Sequence, residues 1–251
     1  MQLRLLHITD CHLVPDGERL LDMDTSVSLT RVLEQAFGAK RWDAIVASGD
    51  LVHSGGPKVY EKFWAIVSSF ADAPLLCLPG NHDELLAMRQ AQLPMQPLEL
   101  DIWQIAPLDS HGSGVPEAEV GEQDLMLLEQ YRRASMAQHG LLATHHPLCE
   151  TATPWLDKDR IADPEKVLDV IAATPGPTLR GAIFGHAHQE ISAHHGTLKL
   201  LGTPSTCFQF KPGSQGFSLD RLAPGYRGIN LYEDGRVSSR VYRLSDWTDD
   251  A

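Results

Sequence analysis

Leu3-Arg4-Leu5-Leu6-His7-Ile8-Thr9-Asp10-Cys11-His12 is an apolar, β-prone run that stops at an acid and an imidazole two residues apart. Four more runs stop in a similar way. Residues 43–48 (DAIVAS) lead into Gly49-Asp50, and residues 73–79 (APLLCLP) lead into Gly80-Asn81-His82-Asp83. Residues 141–144 (LLAT) lead into His145-His146-Pro147, and residues 181–184 (GAIF) into Gly185-His186-Ala187-His188. Short apolar runs separated by helical segments read as buried parallel strands joined by crossover helices. Such sheets bind ligands beyond the carboxyl ends of their strands. The spacing therefore predicts that Asp10, His12, Asp50, Asn81, His145, His186 and His188 gather at one edge. If the chain stays extended there, the i, i+2 pairs Asp10/His12 and His186/His188 each share one side. Gly49, Gly80 and Gly185 would allow a sharp turn just before a ligand.

These seven side chains offer only oxygen and imidazole nitrogen, with no thiolate. That mix suits two divalent cations of the manganese, iron, cobalt or zinc type rather than a cysteine-built structural zinc. Any single piece arises often by chance. Five pieces in order, each closing an apolar run, form a strong pattern.

Composition sets the remaining bounds. The 251 residues are 43% hydrophobic and 22% charged, ordinary values for a globular protein with a full core. The formal net charge is −12 and no Lys/Arg run occurs, which excludes a surface built to coat nucleic acid. An acidic chain can still take one phosphodiester, because two divalent cations outweigh the carboxylates of Asp10 and Asp50. Cys11, Cys77, Cys149 and Cys207 are scattered without a C-x-x-C pair and read as reduced thiols. Cys11 is expected to be a spacer pointing away from its two neighbours. The sequence opens on its first strand, with no export signal and no run able to span a bilayer. A cytoplasmic protein without a membrane partner is expected.

Residues 24–40, 57–70, 121–134 and 163–173 carry apolar side chains at helical spacing, with Asp24 or Thr25 capping the first. Val27, Leu29, Val32 and Leu33 form part of the inward stripe expected there. From Ile191 onward the pattern alternates. Residues 191–193, 198–201, 226–232 and 236–244 read as antiparallel strands, with a turn at Glu233-Asp234-Gly235. Residues 98–107 read as a further hairpin turning near Asp101. A second sheet packed on the first, with helices outside, accounts for all of this. No repeat or low-complexity linker interrupts the chain. One domain over 1–251 is expected, with a core at 3–202 and C-terminal strands and loop at 203–244.

The ordered set D-x-H, G-D, G-N-H-D, H-H-P and G-H-A-H resembles the calcineurin-like metallophosphoesterases. Three stretches are similar, more narrowly, to the bacterial 3′,5′-cyclic-AMP phosphodiesterases: Ile8 to Leu13 (ITDCHL), Thr203 to Pro212 (TPSTCFQFKP) and Leu219 to Arg227 (LDRLAPGYR). Cys11 departs from the pattern, at a position that is not a ligand. The resemblance implies an α/β fold, the four-layer α/β/β/α sandwich with a dinuclear site between its sheets. It assigns Asp10, His12, Asp50 and His188 to one cation and Asp50, Asn81, His145 and His186 to the other. Iron or manganese is favoured over zinc or cobalt. His12, Asp50, Asn81, His82, His145 and His188 would then surround the substrate phosphate.

His82 is expected to stabilise phosphoryl charge and to protonate the leaving 3′ alkoxide. Asp83 is expected to fix its tautomer through a hydrogen bond. His146 would be a support or phosphate contact; His53 matches no motif position and reads as structural or exposed, though it is the best candidate outside the motifs for a substrate contact. Phe208 and Gln209 would hold a purine, with Phe210 and Phe217 either beside them or filling core. The expected reaction converts 3′,5′-cyclic AMP to 5′-AMP through attack of a metal-bridging hydroxide in line with the 3′ oxygen. Another cyclic nucleotide, a glycerophosphodiester or a phosphomonoester would use the same cage. A binding module on this fold is the reading from another class, and it should have lost its ligands. The oligomeric state stays open.

Overall fold

The structure, a computed structural model, describes residues 2–112 and 114–247. Residues 1, 113 and 248–251 of the expected 1–251 domain lie outside the described residues. In chain order the strands begin with β1 (Gln2–Ile8), β2 (Ala44–Ser48), β3 (Leu75–Leu78), β4 (Leu98–Leu100), β5 (Trp103–Pro107) and β6 (His139–Ala143). They continue with β7 (Thr178–Phe184), β8 (Ile191–His195), β9 (Leu198–Gly202), β10 (Gln209–Phe210), β11 (Leu219–Asp220), β12 (Gly225–Tyr232) and β13 (Val237–Arg243). The helices are α1 (Thr25–Ala39), α2 (Pro57–Ser68), α3 (Leu85–Gln90), α4 (Glu122–Ala134) and α5 (Pro164–Ala173).

Two sheets face each other. The first has the order β13-β12-β1-β2-β3 and the second β4-β5-β6-β7-β9-β8. Strand alternation explains the layering. Leu5, Val46, Leu76 and Leu78 point from the first sheet into a middle core, where they meet Trp103, Ile105, Leu141, Ala143, Ile183 and Leu201 of the second. Their neighbours Leu6, Ile8, Ile45 and Cys77 point the other way, onto Leu29, Val32 and Leu33 of α1 and Val59 and Phe63 of α2. On the far side, Leu142, Ala182, Phe184 and Leu200 pack on Leu125 and Leu128 of α4 and on Val167 and Ile171 of α5. The result is the four-layer α/β/β/α sandwich. Each fully buried Leu, Ile or Phe contributes roughly 1.5–3 kcal/mol, so the middle core alone holds the sheets together strongly.

Local signals set the helix ends. The Asp24 carboxylate accepts from the Ser26 and Val27 N–H groups, and Asp163 accepts from the Lys166 N–H. Val27, expected to face inward, is 53% exposed, and the buried face of α1 is instead formed by Thr25, Ser28, Leu29, Val32, Leu33 and Ala36. The hairpin around Asp101 forms, with Leu98 opposite Ile105. One expectation for the C-terminal half needs correction. β9 pairs antiparallel with β8 but parallel with β7, because the β8–β9 hairpin folds its second arm inward against the parallel set. α3 and the β10–β11 ribbon were not expected; both are short, and neither leaves a period in the sequence. Among the described residues no helix is long and apolar enough to cross a membrane.

Candidate metal centre

The seven expected donors follow β1, β2, β3, β6 and β7, and all but Asn81 are buried. The backbone beyond these strands is not extended, which corrects the i, i+2 geometry. The φ angle is +52° at Asp10, +45° at His12, +49° at Asp50, +63° at His186 and +51° at His188. Each left-handed residue turns the chain sharply as it leaves its strand. The His186 N–H reaches both oxygens of Asp10 at 3.1 and 3.1 Å, and the His82 N–H reaches Asp50 Oδ1 at 2.8 Å.

Of the three glycines, only Gly49 takes a left-handed turn. Gly80 and Gly185 serve close approach instead. A Cβ would stand 2.3 Å from Asp50 Oδ1 at Gly80, and 1.9 Å from Thr9 Oγ1 and 2.7 Å from Asp10 Oδ2 at Gly185.

The donor atoms divide around Asp50. His12 Nε2 lies 3.5 Å from Asp50 Oδ2 and 3.1 Å from His188 Nε2, which is 3.4 Å from Asp10 Oδ1. On the other side, His145 Nε2 lies 3.5 Å from the same Asp50 oxygen and 3.2 Å from Asn81 Oδ1. Asn81 Oδ1 is in turn 3.0 Å from His186 Nδ1. Asp10, His12 and His188 therefore form one group, and Asn81, His145 and His186 another, with Asp50 between them.

The outer hydrogen bonds decide which nitrogens face inward. His145 Nδ1 donates to the Ser48 carbonyl at 2.9 Å, and His188 Nδ1 donates to the Phe208 carbonyl at 2.8 Å. A carbonyl only accepts, so each Nδ1 carries its proton outward and each Nε2 is the atom turned to the cluster.

The charges agree. Burial pushes both carboxyl groups up, yet His188 and His145 hold Asp10 below its ordinary value, and His145 and His12 hold Asp50 well below. Burial likewise opposes charge on His145, but Asp50 and Asp10 lift it to about 9. The centre demands positive charge between its carboxylates. Bare imidazole nitrogens, an amide oxygen and two ionised carboxylates converging on a buried space fit divalent cations.

The neighbours take roles that differ from expectation. Asp83 makes no hydrogen bond to His82. Its oxygens accept from the Leu51, Val52 and Gly80 N–H groups at 3.1, 3.1 and 2.9 Å and from the Tyr60 hydroxyl at 3.0 Å. It ties the loop after β2 to the loop after β3, so it holds Asp50 against Asn81 rather than orienting His82. Burial and nearby Asp50 push its carboxyl up to about 7.

His82 itself is exposed, with its ring 4.9 Å from His12 and 4.6 Å from His53. His146 cannot contact phosphate. Its Nδ1 bonds Ser110 at 2.9 Å and its Nε2 donates to the Pro116 carbonyl at 3.0 Å, while the ring packs 4.6 Å from His186. His53 Nδ1 lies 3.4 Å from His12 Nδ1, beside a ligand position. Cys11 is buried in the outer core under α1 and α2.

A cavity of about 320 Å³ opens directly over these donors. His12, Asp50, Asn81, His82, His186 and His188 form its floor, and Phe208, Phe210, Phe217 and Trp155 wall one side. Phe208 stacks 5.4 Å from His12, and Phe210 stacks 4.2 Å from His188. Phe217 is 61% exposed, so neither it nor Phe210 is core. Gln209 is turned away. It is buried, and its amide donates to the Ser205 and Cys207 carbonyls at 2.9 and 3.0 Å, so it braces the loop instead of reading a base.

The sequence matches the calcineurin-like phosphoesterase family over residues 3–190. The chain belongs to that family. This phosphoesterase, a hydrolase by class, is 38% identical over 248 residues to a Pseudomonas aeruginosa protein named 3′,5′-cyclic adenosine monophosphate phosphodiesterase CpdA, covering 96% of this chain and 90% of that one. The Escherichia coli K12 protein of the same name is 37% identical over 253 residues, covering 98% and 91%.

The fold is also that of purple acid phosphatase PPD1 from yellow lupin, at TM-score 0.60 and 11% identity, covering 98% of this chain and 52% of that one. TT1561 of Thermus thermophilus gives TM-score 0.56 at 11% identity, covering 96% and 99%. Membership in a metallophosphoesterase family implies divalent metal ions, and this phosphoesterase has buried His/Asp groups whose donor atoms lie within 4.8 Å of one another.

Sequence reasoning missed Leu20, Leu21, Pro116, Trp155, Leu156 and Asp159, which complete the cavity of this phosphoesterase. One signal was present. Trp155-Leu156 is an apolar pair in a polar, Pro-containing segment, where neither a helix nor a strand calls for it.

Proposed function

We propose that this phosphoesterase hydrolyses 3′,5′-cyclic AMP to 5′-AMP, with two divalent cations held by the seven donors. The observation that carries the reading is the position of Asp50. It stands between two donor groups, on the floor of a cavity with an aromatic wall. The substrate class follows from the names of the relatives at 37–38% identity over nearly the whole chain. A cavity of about 320 Å³ lies within the usual range for small-molecule sites.

Asp10, His12, Asp50 and His188 would hold one cation, and Asp50, Asn81, His145 and His186 the other. Iron or manganese suits this set best, and zinc or cobalt is compatible with it. When bound, the pair supplies positive charge to the phosphoryl oxygens and acidifies the water that attacks phosphorus.

The chain's own residues do the rest. His12, Asp50, Asn81, His82, His145 and His188 surround the phosphate. Asp83 keeps the two loops in register. His82, set at the cavity floor by its N–H bond to Asp50, protonates O3′ as it leaves. Phe208 and Trp155 offer faces on which a purine stacks. The whole chain acts as one domain in the cytoplasm, on a small molecule rather than on nucleic acid or a membrane.

The test is a comparison of kcat/KM for 3′,5′-cyclic AMP, 3′,5′-cyclic GMP and a glycerophosphodiester, before and after chelation and metal return. The expected outcome is highest efficiency with cyclic AMP, lost on chelation and restored by Mn²⁺ or Fe²⁺. Preference for the glycerophosphodiester would overturn the substrate, and activity indifferent to chelation would overturn the centre.

A further inference from the structure

Each imidazole that turns one nitrogen to the centre must place its proton on the other nitrogen, and that proton needs an acceptor. For His145 and His188 the acceptors are the backbone carbonyls of Ser48 and Phe208. His186 is built the other way round. Its Nδ1 lies 3.0 Å from Asn81 Oδ1, within the donor group; for that nitrogen to serve as a donor the proton must sit on Nε2, and Nε2 is buried with no hydrogen-bond partner. A buried donor left unsatisfied is costly, because it has given up water without gaining a partner. The carboxylate set closest to it is that of Asp159, whose Oδ2 stands 3.6 Å away with the side chain 13% exposed. That distance is a few tenths of an ångström beyond a hydrogen bond.

Asp159 is firmly placed. Its N–H donates to the Leu156 carbonyl at 3.0 Å, and its carbonyl accepts from the Ala118 N–H at 2.9 Å. The same segment begins with Thr151 and Thr153, whose hydrogen bonds to Asp157 and Gln189 fix its course. A small rotation of the carboxylate therefore closes the gap without moving the backbone.

We propose that Asp159 is a positioning residue for His186. It accepts the Nε2 proton, fixes the tautomer and holds the bare Nδ1 toward the Asn81/His145 side of the centre. The proposal rests on the dinuclear reading above and extends it to a carboxylate outside the ligand motifs, further along the loop that carries His145. It also gives the cavity wall a second task, since Trp155 and Leu156 of the same segment face the substrate space.

The test is calorimetric titration of metal-free protein with Mn²⁺, for the wild type, Asp159→Ala and Asp159→Asn, with thermal unfolding of each metal-free protein alongside. The expected result is two ions bound by the wild type. In Asp159→Ala one of them should bind about 10–100-fold more weakly, the range seen when such outer partners are lost. Asp159→Asn, which keeps a neutral acceptor, should recover part of the loss. The unfolding temperatures of the metal-free proteins should stay close.

Unchanged affinity for both ions in Asp159→Ala overturns the proposal, whether or not KM changes. So does equal weakening of both ions together with a large fall in unfolding temperature, which marks a structural role. A wild type that binds fewer than two ions overturns the dinuclear reading as well, and so separates the two failures.

Discussion

The Ser48 carbonyl, at the end of β2 in one sheet, accepts a 2.9 Å hydrogen bond from Nδ1 of His145, which follows β6 in the other. A side chain from one sheet is thus oriented by the backbone of its opposite. The centre depends on the spacing of two sheets whose middle core lies directly behind it. Substitutions at the donors and their supports can be read separately for this reason.

Asp50 is shared between the two donor groups, so Asp50→Ala should bind at most one tight cation and lose nearly all turnover. Elemental analysis and a kcat measurement check this together. Two bound metals per chain with wild-type turnover would contradict the cage.

His82 touches no outer hydrogen-bond network, so its removal should spare metal and fold. His82→Ala should lower kcat by about 10²–10⁴, the usual cost of a lost acid–base group. A substrate whose leaving group needs no proton, such as bis(p-nitrophenyl) phosphate, should lose much less. Loss of metal with kcat preserved at saturating metal would make His82 a support for the ligands.

Phe208→Ala and Trp155→Ala should each raise KM for 3′,5′-cyclic AMP. A base stacked on an aromatic face contributes about 1–3 kcal/mol, which corresponds to roughly 5- to 150-fold. Hydrolysis of bis(p-nitrophenyl) phosphate should change little in the same proteins. Parallel losses on both substrates would mean that these rings only brace the site. Gln209→Ala, by contrast, should lower stability, because its amide holds two backbone carbonyls.

His7 is buried between Ser48 and Thr203, at 2.8 and 2.6 Å. Burial, with Arg227, lowers it from 6.5 to about 3. The fold therefore binds fewer protons than the unfolded chain between those values. Its contribution is complete above about pH 6.5 and is lost as the pH falls toward 3. Urea unfolding of metal-free His7→Gln between pH 7 and 5 should show a pH slope shallower by about 1 kcal/mol per unit on average than the wild type. Equal slopes would assign the acid sensitivity to other histidines.

Much of the fold was legible because the middle-core strands have to be continuous apolar runs, as residues 43–48 and 181–184 are. The positions of Asp10, Asp50, Asn81, His145 and His186 were legible because each directly follows such a run. What escaped reading depends on contacts between distant segments. Nothing local in Gly-Asn-His-Asp tells that the Asp83 carboxylate turns back to the Leu51, Val52 and Gly80 N–H groups instead of to His82. Gln209 and Phe208 are adjacent, and only the loop's course sends one ring to the cavity and the amide inward. Asp159 belongs to none of the motifs, so its approach to His186 exists only in three dimensions.

Asp10, His12, Asp50, His186 and His188 all hold left-handed backbone without being glycine. At about 1 kcal/mol each, such strain totals roughly 5 kcal/mol, on the scale of a whole domain's net stability. Glycine at any of the five would relieve its share while erasing a donor. At these positions the backbone favours glycine and the chemistry forbids it. A thermostability screen blind to activity would discard that chemistry first.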